Sequence, residues 1–510
     1  MSTQAILFIV MIAYLLGMLF IGIFFSKKNE SAGDFYLGGR SLGPFVTAMS
    51  AEASDMSSWL LMGLPGVAYL SGVADASWTA IGLAIGTYLN WLIVAKRIRH
   101  YSQHLNAITI PDFFAKRYKD EKNVLTGISA IIIIVFFIPY TASGFAACGK
   151  LFNSLFGVNY HVAMLISAAI IVAYCTLGGF LAASTTDLIQ SIVMSIALVV
   201  VILFGLNAVG SFDTVIQNAK ELPGYLSMTH TYNAVTNTKG SYNLITICST
   251  LAWGLGYFGM PHILLRFMAI GDAKKLKLSR RIASIWVVIS LSVAIFIGIL
   301  GYSMTKVGTI PVLGSSSSAE TIIVKIADKL STHGLLAAII AGLILAGILA
   351  ATMSTADSQL LAAASAISQN IAEDVLHIKI SAKTAVKVAR VAVIAIALIA
   401  IYIARDPNSS VFEIVSFAWA GFGATFGPVV LLSLFWKRSN RYGATAGMIV
   451  GGITIFVWKY ALRPMGGAFD IYELLPAFIL AIVVNIIVSL ATKAPEQDII
   501  DTFNEVKAMK

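Results

Sequence analysis

Residues 50–66 read SAEASDMSSWLLMGLPG, a stretch with the length of a membrane helix that also contains residues such a helix normally excludes. Glu52 and Asp55 lie among small side chains, and Pro65 stands close to two glycines. An ionisable side chain at membrane depth costs about 2.5–3.5 kcal/mol, so it usually faces a cavity or a partner group. The freed carbonyls of an interrupted helix can bind a cation, and its half-helix N-terminus can face an anion. The stretch therefore predicts a site for an ion and a solute.

The composition around this stretch indicates a polytopic helical membrane protein rather than a soluble enzyme. Of the 510 residues, 58% are hydrophobic and only 12% are charged. The net charge of +10 could suggest nucleic acid as a partner. Most of the Lys and Arg, however, fall in segments predicted to lie on one side of the membrane, so the basic balance reflects topology. We predict the lipid bilayer as a partner and no nucleic acid.

Apolar runs of about 20 residues predict about thirteen membrane helices. The basic connections 96–123 and 266–281 belong in the cytoplasm by the positive-inside rule. With an odd number of spans, this places the N-terminus outside the cell membrane and the C-terminus in the cytoplasm. The predicted helices are 5–25, 43–70, 74–95, 124–150, 160–178, 187–209, 243–263, 282–304, 335–370, 388–404, 411–436, 443–461 and 472–492.

The spacing of the unusual helices suggests an internal repeat. The predicted break in 43–70 is matched five helices later by 252–261, AWGLGYFGMP, which is rich in glycine and ends at Pro261. An inverted repeat of five helices plus five would produce this pairing. Gly and Pro are also common in membrane helices generally, so the pairing alone leaves both interpretations open. The predicted division is 1–42 (first helix and cytoplasmic loop), 43–209 (first repeat), 210–242 (extracellular loop), 243–436 (second repeat) and 437–510 (two last helices and cytoplasmic tail).

A third stretch, AGILAATMSTADSQLL, carries hydroxyl groups at helical spacing. Ala351, Ser354 and Thr355 fall at i, i+3 and i+4, so two hydroxyls and a backbone carbonyl can share one helix face. Na⁺ prefers oxygen ligands of this kind, and carbonyls opened around Ala53 and Met56 could complete its shell. The same spacing is typical of hydroxyls that bond to their own helix, and it does not decide between the two.

Four longer runs identify a family resemblance. FYLGGRSLGPFVTAMSAEASDMSSWLLMGLPG, WGLGYFGMPHILLRFMA, ILAATMSTADSQLL and AWAGFGATFGPVVLLSLFW resemble the sodium/solute symporter family, most closely its proline-transporting bacterial members. The similarity covers the chain from about residue 10 to 495. It implies an all-α leucine-transporter-type fold, with ten core helices in two inverted repeats, one helix added before them and two after.

The resemblance implies a set of ion ligands, residue by residue. The sodium site would consist of the carbonyls of Ala53, Met56 and Ala351 and the hydroxyls of Ser354 and Thr355. We therefore expect Na⁺ as the coupling ion.

The resemblance also implies residues for coupling and for the solute. Asp55 and Ser57 match positions important for sodium and substrate, and Asp187 matches an acidic position linked to sodium entry or coupling. Tyr140 and Trp253 match residues near the solute pocket, where an aromatic wall suits a pyrrolidine ring.

Some positions depart from the family pattern or have no assigned role. Ser58 stands where glycine is typical and places an extra hydroxyl beside the solute pocket, so we count it among the substrate-binding residues. Glu52 replaces a small residue and Met260 replaces glutamine. One added polar group can favour a different solute. The roles of Glu52, Arg40 and Asp357 stay open.

These features together predict a secondary symporter that couples inward Na⁺ movement to uptake of a small amino acid, L-proline, and that works as a monomer. An alternative keeps the transporter but changes the solute to another amino acid or a carboxylate, or uses H⁺ with Glu52 or Asp55 titrating. A membrane enzyme is disfavoured because no nucleophile, base and orienting group form a motif. A sensor that binds without net transport is a further alternative.

Overall fold

The computed structural model describes residues 2–26, 32–378 and 381–509. Residues 27–31, within the predicted cytoplasmic loop after the first helix, and 379–380 lie outside that description. The described α-helices are α1 Thr3–Ser26, α2 Ala32–Leu37, α3 Pro44–Asp55, α4 Leu64–Ser71, α5 Val73–Leu89, α6 Ala95–His104, α7 Ile110–Tyr118, α8 Val124–Phe156, α9 Tyr160–Val209, α10 Phe212–Lys220, α11 Leu244–Leu251, α12 Pro261–Ala269, α13 Leu276–Lys306, α14 Ser316–Ala319, α15 Ile322–Ser331, α16 Leu335–Ser365, α17 Ala382–Ile403, α18 Val411–Phe435, α19 Arg441–Val457, α20 Leu474–Ala491 and α21 Gln497–Ala508.

Short irregular helical segments join or extend several of these helices. The 3-10 segments are Gly38–Arg40, Ala252–Gly259, Ala273–Lys275, Arg463–Met465 and Gly467–Phe469, and the π segments are Trp59–Gly63, Asn90–Val94, Ala366–Val375 and Trp458–Leu462.

Every predicted membrane span coincides with helical structure. Within the described ranges, nine helices are long and apolar enough to cross a membrane, or ten when the bent pair Leu244–Gly259 and Pro261–Ala269 is taken as one span. Trp59–Ser71 and Tyr160–Ala173 are shorter apolar helices. A multi-pass membrane protein is therefore confirmed, whereas the count of thirteen stays a prediction.

Both predicted helix breaks are present. Helix α3 ends at Asp55, Met56 leaves the helical region with ψ at 67°, and helical structure resumes at Trp59. The second break lies at Met260, which is extended (φ −75°, ψ 109°) between the 3-10 segment Ala252–Gly259 and α12. Proline occupies the first turn of both α3 and α12, where its missing N–H costs nothing.

Long helices surround these two breaks. Helix α16 packs against α3, α8 and α9, while α18 packs against α8, α20 and the 3-10 segment Ala252–Gly259. Helix α1 packs on α9 and α16, and α19 packs with α20 beside α18. The first helix and the last two thus flank the bundle that holds the breaks.

Helix α9 joins two predicted spans, 160–178 and 187–209, into one long element. It bends at Gly179, whose φ of 66° and ψ of −175° are not helical. Glycine adopts a positive φ without the steric cost of a Cβ atom.

The two long segments between spans contain short ordered elements. Segment 305–334 holds α14 and α15, and segment 210–242 holds α10. The latter also forms an antiparallel hairpin, β1 His230–Asn233 with β2 Thr238–Ser241, in which His230 lies opposite Ser241. The sequence did not predict this hairpin because its strands are polar and lack the apolar alternation of a half-buried strand.

Glycines allow the second broken helix to touch α5 backbone to backbone. A Cβ atom on Gly86 would overlap the carbonyl of Gly254, and one on Gly254 would overlap the carbonyl of Gly82. The approach therefore depends on the absence of side chains at all three positions.

Gly86→Ala is expected to destabilise the fold by about 1–3 kcal/mol, because the added methyl must push α5 away from the 3-10 segment. The thermal unfolding midpoint of the purified protein in detergent measures this. Gly17→Ala is the matched control, since a Cβ atom at Gly17 of α1 meets nothing within 4 Å. Equal midpoints for the two variants would show that the close approach is dispensable.

Candidate functional site

The break in α3 lies against α16 through a direct hydrogen bond. The Ser354 hydroxyl donates to the carbonyl of Ala53 at 2.8 Å and lies 3.2 Å from the carbonyl of Ala351. The neighbouring Thr355 hydroxyl is buried and has no hydrogen-bond partner among the residues that the structure describes. Met56 follows at the break itself. The structure thus brings the predicted ion ligands of two distant segments together.

The side chain and carbonyl of Asp55 are the centre of a buried polar cluster. Its carbonyl accepts hydrogen bonds from the Tyr140 hydroxyl at 3.2 Å and from the Trp59 indole N–H at 3.1 Å. Its carboxylate Oδ2 accepts from the Tyr257 hydroxyl, while Oδ1 has no partner within the described part of the chain. Aromatic side chains from separate segments therefore converge on the last residue of α3.

The two serines of the break differ in their hydrogen bonding. The Ser57 hydroxyl accepts a hydrogen bond from the Trp59 backbone N–H at 3.4 Å, and the Ser57 backbone N–H donates to the Asp55 carbonyl at 2.8 Å. The Ser58 hydroxyl is fully buried and makes no hydrogen bond to any described residue. The Ser58 hydroxyl therefore has a donor and acceptor positions that the described residues do not use, and an unpaired buried hydroxyl is costly.

An aromatic cluster lies next to this break. Trp253 packs against Trp59 with ring centroids 6.3 Å apart and stacks on Tyr472 at 5.1 Å. The Trp419 indole N–H donates to the Trp253 carbonyl at 2.7 Å, and Phe412 packs against the Trp253 ring. The cluster joins the break to α18 and to the start of α20.

A cavity of about 770 Å³ beside the hairpin reaches this cluster and ends there. Trp253, Phe412 and Tyr472 belong to its lining, whereas Asp55 and Tyr140 do not. The aromatic rings therefore separate the cavity from the break in α3.

Asp187 lies away from the break, in a buried ion pair. Its Oδ2 is 3.2 Å from Nη2 of Arg266 and accepts a hydrogen bond from the Ser50 hydroxyl at 2.6 Å. Arg266 also donates to Ser50 at 3.0 Å and to Ser358 at 2.5 Å. Ser358 in turn donates to the carbonyl of Ser354 at 3.0 Å. A continuous polar chain thus connects Asp187 with the candidate ion ligands.

This pair corrects the predicted position of Arg266, which the sequence assigned to a basic cytoplasmic connection. Its side chain is 1% exposed, because the buried carboxylate of Asp187 needs a cation beside it. The signal was present in the sequence, since Arg266 is the only Lys, Arg, Asp or Glu in the apolar run HILLRFMA. The sequence also provided no reason to select Tyr257 as a site residue. Its one sequence signal is its position in the glycine-rich stretch 252–261.

The structure also gives contacts for three residues whose roles were open. The Glu52 carboxylate accepts from the Trp91 indole N–H at 2.9 Å, and Oδ1 of Asp357 lies 3.1 Å from the Ser358 hydroxyl oxygen. Glu52 and Asp357 thus lie near the site.

Arg40 instead ties the segment before α3 to the end of α12. It donates to the carbonyls of Met268 and Ala107 at 2.7 and 2.6 Å. Burial, and secondly the charge of Arg99, lower the pKa of Arg40 to about 10, so it remains a cation at neutral pH.

The chain matches a known family over most of its length. The sequence model of the sodium:solute symporter family matches residues 35–451. The chain belongs to this family. Membership in the sodium:solute symporter family agrees with the resemblance found in the sequence.

Several relatives in the sodium:solute symporter family match nearly the whole chain. The sodium/proline symporter of Haemophilus influenzae is 43% identical over 97% of this chain and 96% of its own. The sodium/proline symporter of Escherichia coli is 41% identical over 97% and 95%. The high-affinity proline transporter PutP of Bacillus subtilis is 41% identical over 96% and 98%.

Solved structures agree on the fold. A Na⁺-coupled sialic acid symporter, in its substrate-bound outward-open state, matches with a TM-score of 0.77 and 19% identity, over 96% of this chain and 99% of its own. Mhp1, a nucleobase-cation-symport-1 family transporter, matches with a TM-score of 0.57 and 16% identity, over 94% and 99%. The predicted leucine-transporter-type fold is confirmed.

Arg266→Met is expected to destabilise this symporter by about 3–5 kcal/mol, because the carboxylate of Asp187 is left buried without its cation. The double variant Asp187→Asn/Arg266→Met should recover part of the loss, since no charge remains unpaired. Thermal unfolding midpoints in detergent give both values.

Lys116→Met is the control, because it removes an exposed ion pair instead of a buried one. Lys116 and Asp112 form an exposed i, i+4 pair, which contributes about 0.3–0.5 kcal/mol. An Arg266→Met protein that unfolds no earlier than Lys116→Met would contradict the argument.

Proposed function

We propose that this protein is a secondary symporter that couples inward Na⁺ movement to the uptake of L-proline by alternating access. The observation that carries the proposal is the contact of the Ser354 hydroxyl with the Ala53 carbonyl across the break of α3. Relatives named sodium/proline symporter, at 41–43% identity over nearly the full chain, support the choice of ion and solute.

Na⁺ in this proposal is cargo that binds where the two helices meet. The carbonyls of Ala53, Met56 and Ala351 and the hydroxyls of Ser354 and Thr355 supply the hard oxygen ligands that the ion prefers. The Thr355 hydroxyl, which has no partner among the described residues, supports this set, because a buried hydroxyl without a partner is costly. An ion held there ties α3 to α16.

The solute in this proposal binds next to the ion, between the break and the aromatic cluster. Tyr140 and Trp253 supply aromatic surface for the pyrrolidine ring. Asp55, Ser57 and Ser58 supply polar groups, and the buried Ser58 hydroxyl can bond the solute's carboxylate. Coupling follows because each ligand lowers the cost of ordering the shared break for the other.

Asp187 acts in this proposal through the polar chain rather than by direct contact at the break. Arg266 and Ser358 join its carboxylate to the Ser354 carbonyl, so a change in charge or position at Asp187 reaches the ion ligands. Movement of these groups would alter the affinity for Na⁺.

The protein lies in the cell membrane with its N-terminus outside and its C-terminus in the cytoplasm, and it works as a monomer. The two repeats occupy 43–209 and 243–436. The basic connections between spans support this orientation.

Proteoliposomes that hold the purified protein test the function directly. An inward Na⁺ gradient should drive accumulation of radiolabelled L-proline, whereas a K⁺ gradient should not. Each Na⁺ gains about 2.3 kcal/mol per 100 mV, and a tenfold gradient adds about 1.4 kcal/mol. Unlabelled proline should compete, and other amino acids should not. Sodium-driven uptake of another solute, or uptake driven only by a pH gradient, would reject the assignment of proline or of Na⁺.

Thr355→Ala is expected to raise the Na⁺ concentration for half-maximal uptake about tenfold or more, because a ligand to a charged group is lost. Thr352→Ala is the matched control. Thr352 lies one turn earlier on α16 and is also buried, but its hydroxyl already donates to the Ile348 carbonyl at 3.0 Å. Surface expression of both variants should match the wild type. Unchanged sodium dependence in Thr355→Ala would remove this hydroxyl from the ion site.

A further inference from the structure

A second cavity, of about 730 Å³, lies at the junction of α6 with the start of α13. Its walls come from the end of the span that contains α5, around Trp91 to Gln103, and from the connection 271–280. These two segments are distant in sequence and meet only in the folded protein. The function proposed above does not use this cavity.

The lining of this cavity is strongly basic and is not neutralised by the protein. It contains five cationic side chains and one carboxylate, Asp272, which caps the following turn by accepting from Lys274 N–H at 2.9 Å. Within residues 2–26, 32–378 and 381–509, no salt bridge involves any of the five cations. The cations are Lys96, Arg99, Lys274, Lys277 and Arg280.

One of these cations is held by hydrogen bonds to backbone carbonyls, and others have N–H groups available to bind a ligand. Arg99 is buried and donates to the carbonyls of Ile270 and Gly271 at 2.6 and 3.3 Å. Lys96 and Lys277 are exposed, and the Nε atom of Arg280 is buried without a hydrogen-bond partner in the described part of the structure. The cavity thus offers several unused N–H donors around one concave wall.

An apolar surface runs from this cavity along the adjoining spans. Leu92 lines the cavity and is 42% exposed, and Tyr88 lies one turn earlier on the same span at 45%. Leu278 of α13 is exposed as well. The Arg280 guanidinium lies over the Tyr88 ring, 5.4 Å from its centroid, so the charged and apolar surfaces are continuous. Both helices are membrane spans.

We propose that this cavity binds the phosphate headgroup of an anionic phospholipid, whose acyl chains lie along α5 and α13. Basic pockets between membrane helices bind such headgroups, and phosphate oxygens accept from Lys and Arg donors. Lys96, Lys277 and Arg280 supply those donors. The positive-inside rule accounts for basic loops in general, but not for their convergence on a cavity with an apolar wall.

The cavity adjoins the second broken helix of the proposed transporter. Arg99 holds the two carbonyls that directly follow α12, which is half of the second broken helix. The connection that begins there also forms the cavity wall. A lipid bound in the cavity therefore stabilises the end of α12 against unfolding.

Binding of a short-chain lipid to the full-length protein in detergent tests the proposal. Dioctanoylphosphatidylglycerol is titrated, and one-to-one adducts are measured by native mass spectrometry together with the thermal unfolding midpoint. The wild type should bind and be stabilised. Lys96→Gln/Lys277→Gln should need roughly 10- to 30-fold more lipid for half-saturation, because two cations near the headgroup are lost.

Two further variants make this test specific. Lys493→Gln/Lys507→Gln removes the same charge from exposed positions after the last span, and its half-saturation should stay within about twofold of the wild type. Lys96→Arg/Lys277→Arg keeps both charges and should retain binding, which separates loss of charge from misfolding of the glutamine variant.

Three results would overturn the proposal. If dioctanoylphosphatidylcholine bound as tightly as dioctanoylphosphatidylglycerol, the site would not require a lipid with net negative charge. Inorganic phosphate raising the midpoint as much as the lipid would identify a free-anion site. Equal lipid binding by the two glutamine double variants would place the lipid elsewhere on the protein.

Discussion

The hydrogen bond between the Ser354 hydroxyl and the Ala53 carbonyl joins the two parts of the molecule on which the rest depends. It is possible because α3 stops at Asp55, which leaves carbonyls that a continuous helix would use internally. Helix α16 stays continuous and brings hydroxyls to that gap. A broken helix against an unbroken one gives the bundle a place where backbone oxygens are available at membrane depth.

The same break explains why polar groups are concentrated here. Glu52, Asp55 and Asp187 would each be costly alone in a membrane, and each is held by a named donor: Trp91, Tyr257 and Arg266 respectively. These donors come from other segments of the chain. The polar cluster therefore fixes how those segments pack around the break. The aromatic cluster at Trp253 separates the break from the cavity beside the hairpin.

Charge at the membrane boundary has a different origin and a different use. The basic connections follow the positive-inside asymmetry common to membrane proteins, so the sequence alone predicted their positive charge. Their folding around α6 and α13 turns part of that charge into a concave wall next to exposed apolar side chains. Arg266 shows the opposite outcome, because a residue counted with the same loop is drawn inward to neutralise Asp187.

Sequence alone determined the membrane class, the positions of the apolar helices, both helix breaks and the family, because hydrophobic length and helix-breaking residues act locally. It also paired Ala53 with Ser354 through family resemblance. Only the tertiary structure decided that Tyr257 donates to Asp55, that Arg266 is buried, and that a polar hairpin forms at 230–241. The first two depend on contacts between residues far apart in the chain, whose energies come from burial and pairing that no local pattern records. The hairpin is local, but its polar strands lack the apolar alternation that marks a half-buried strand.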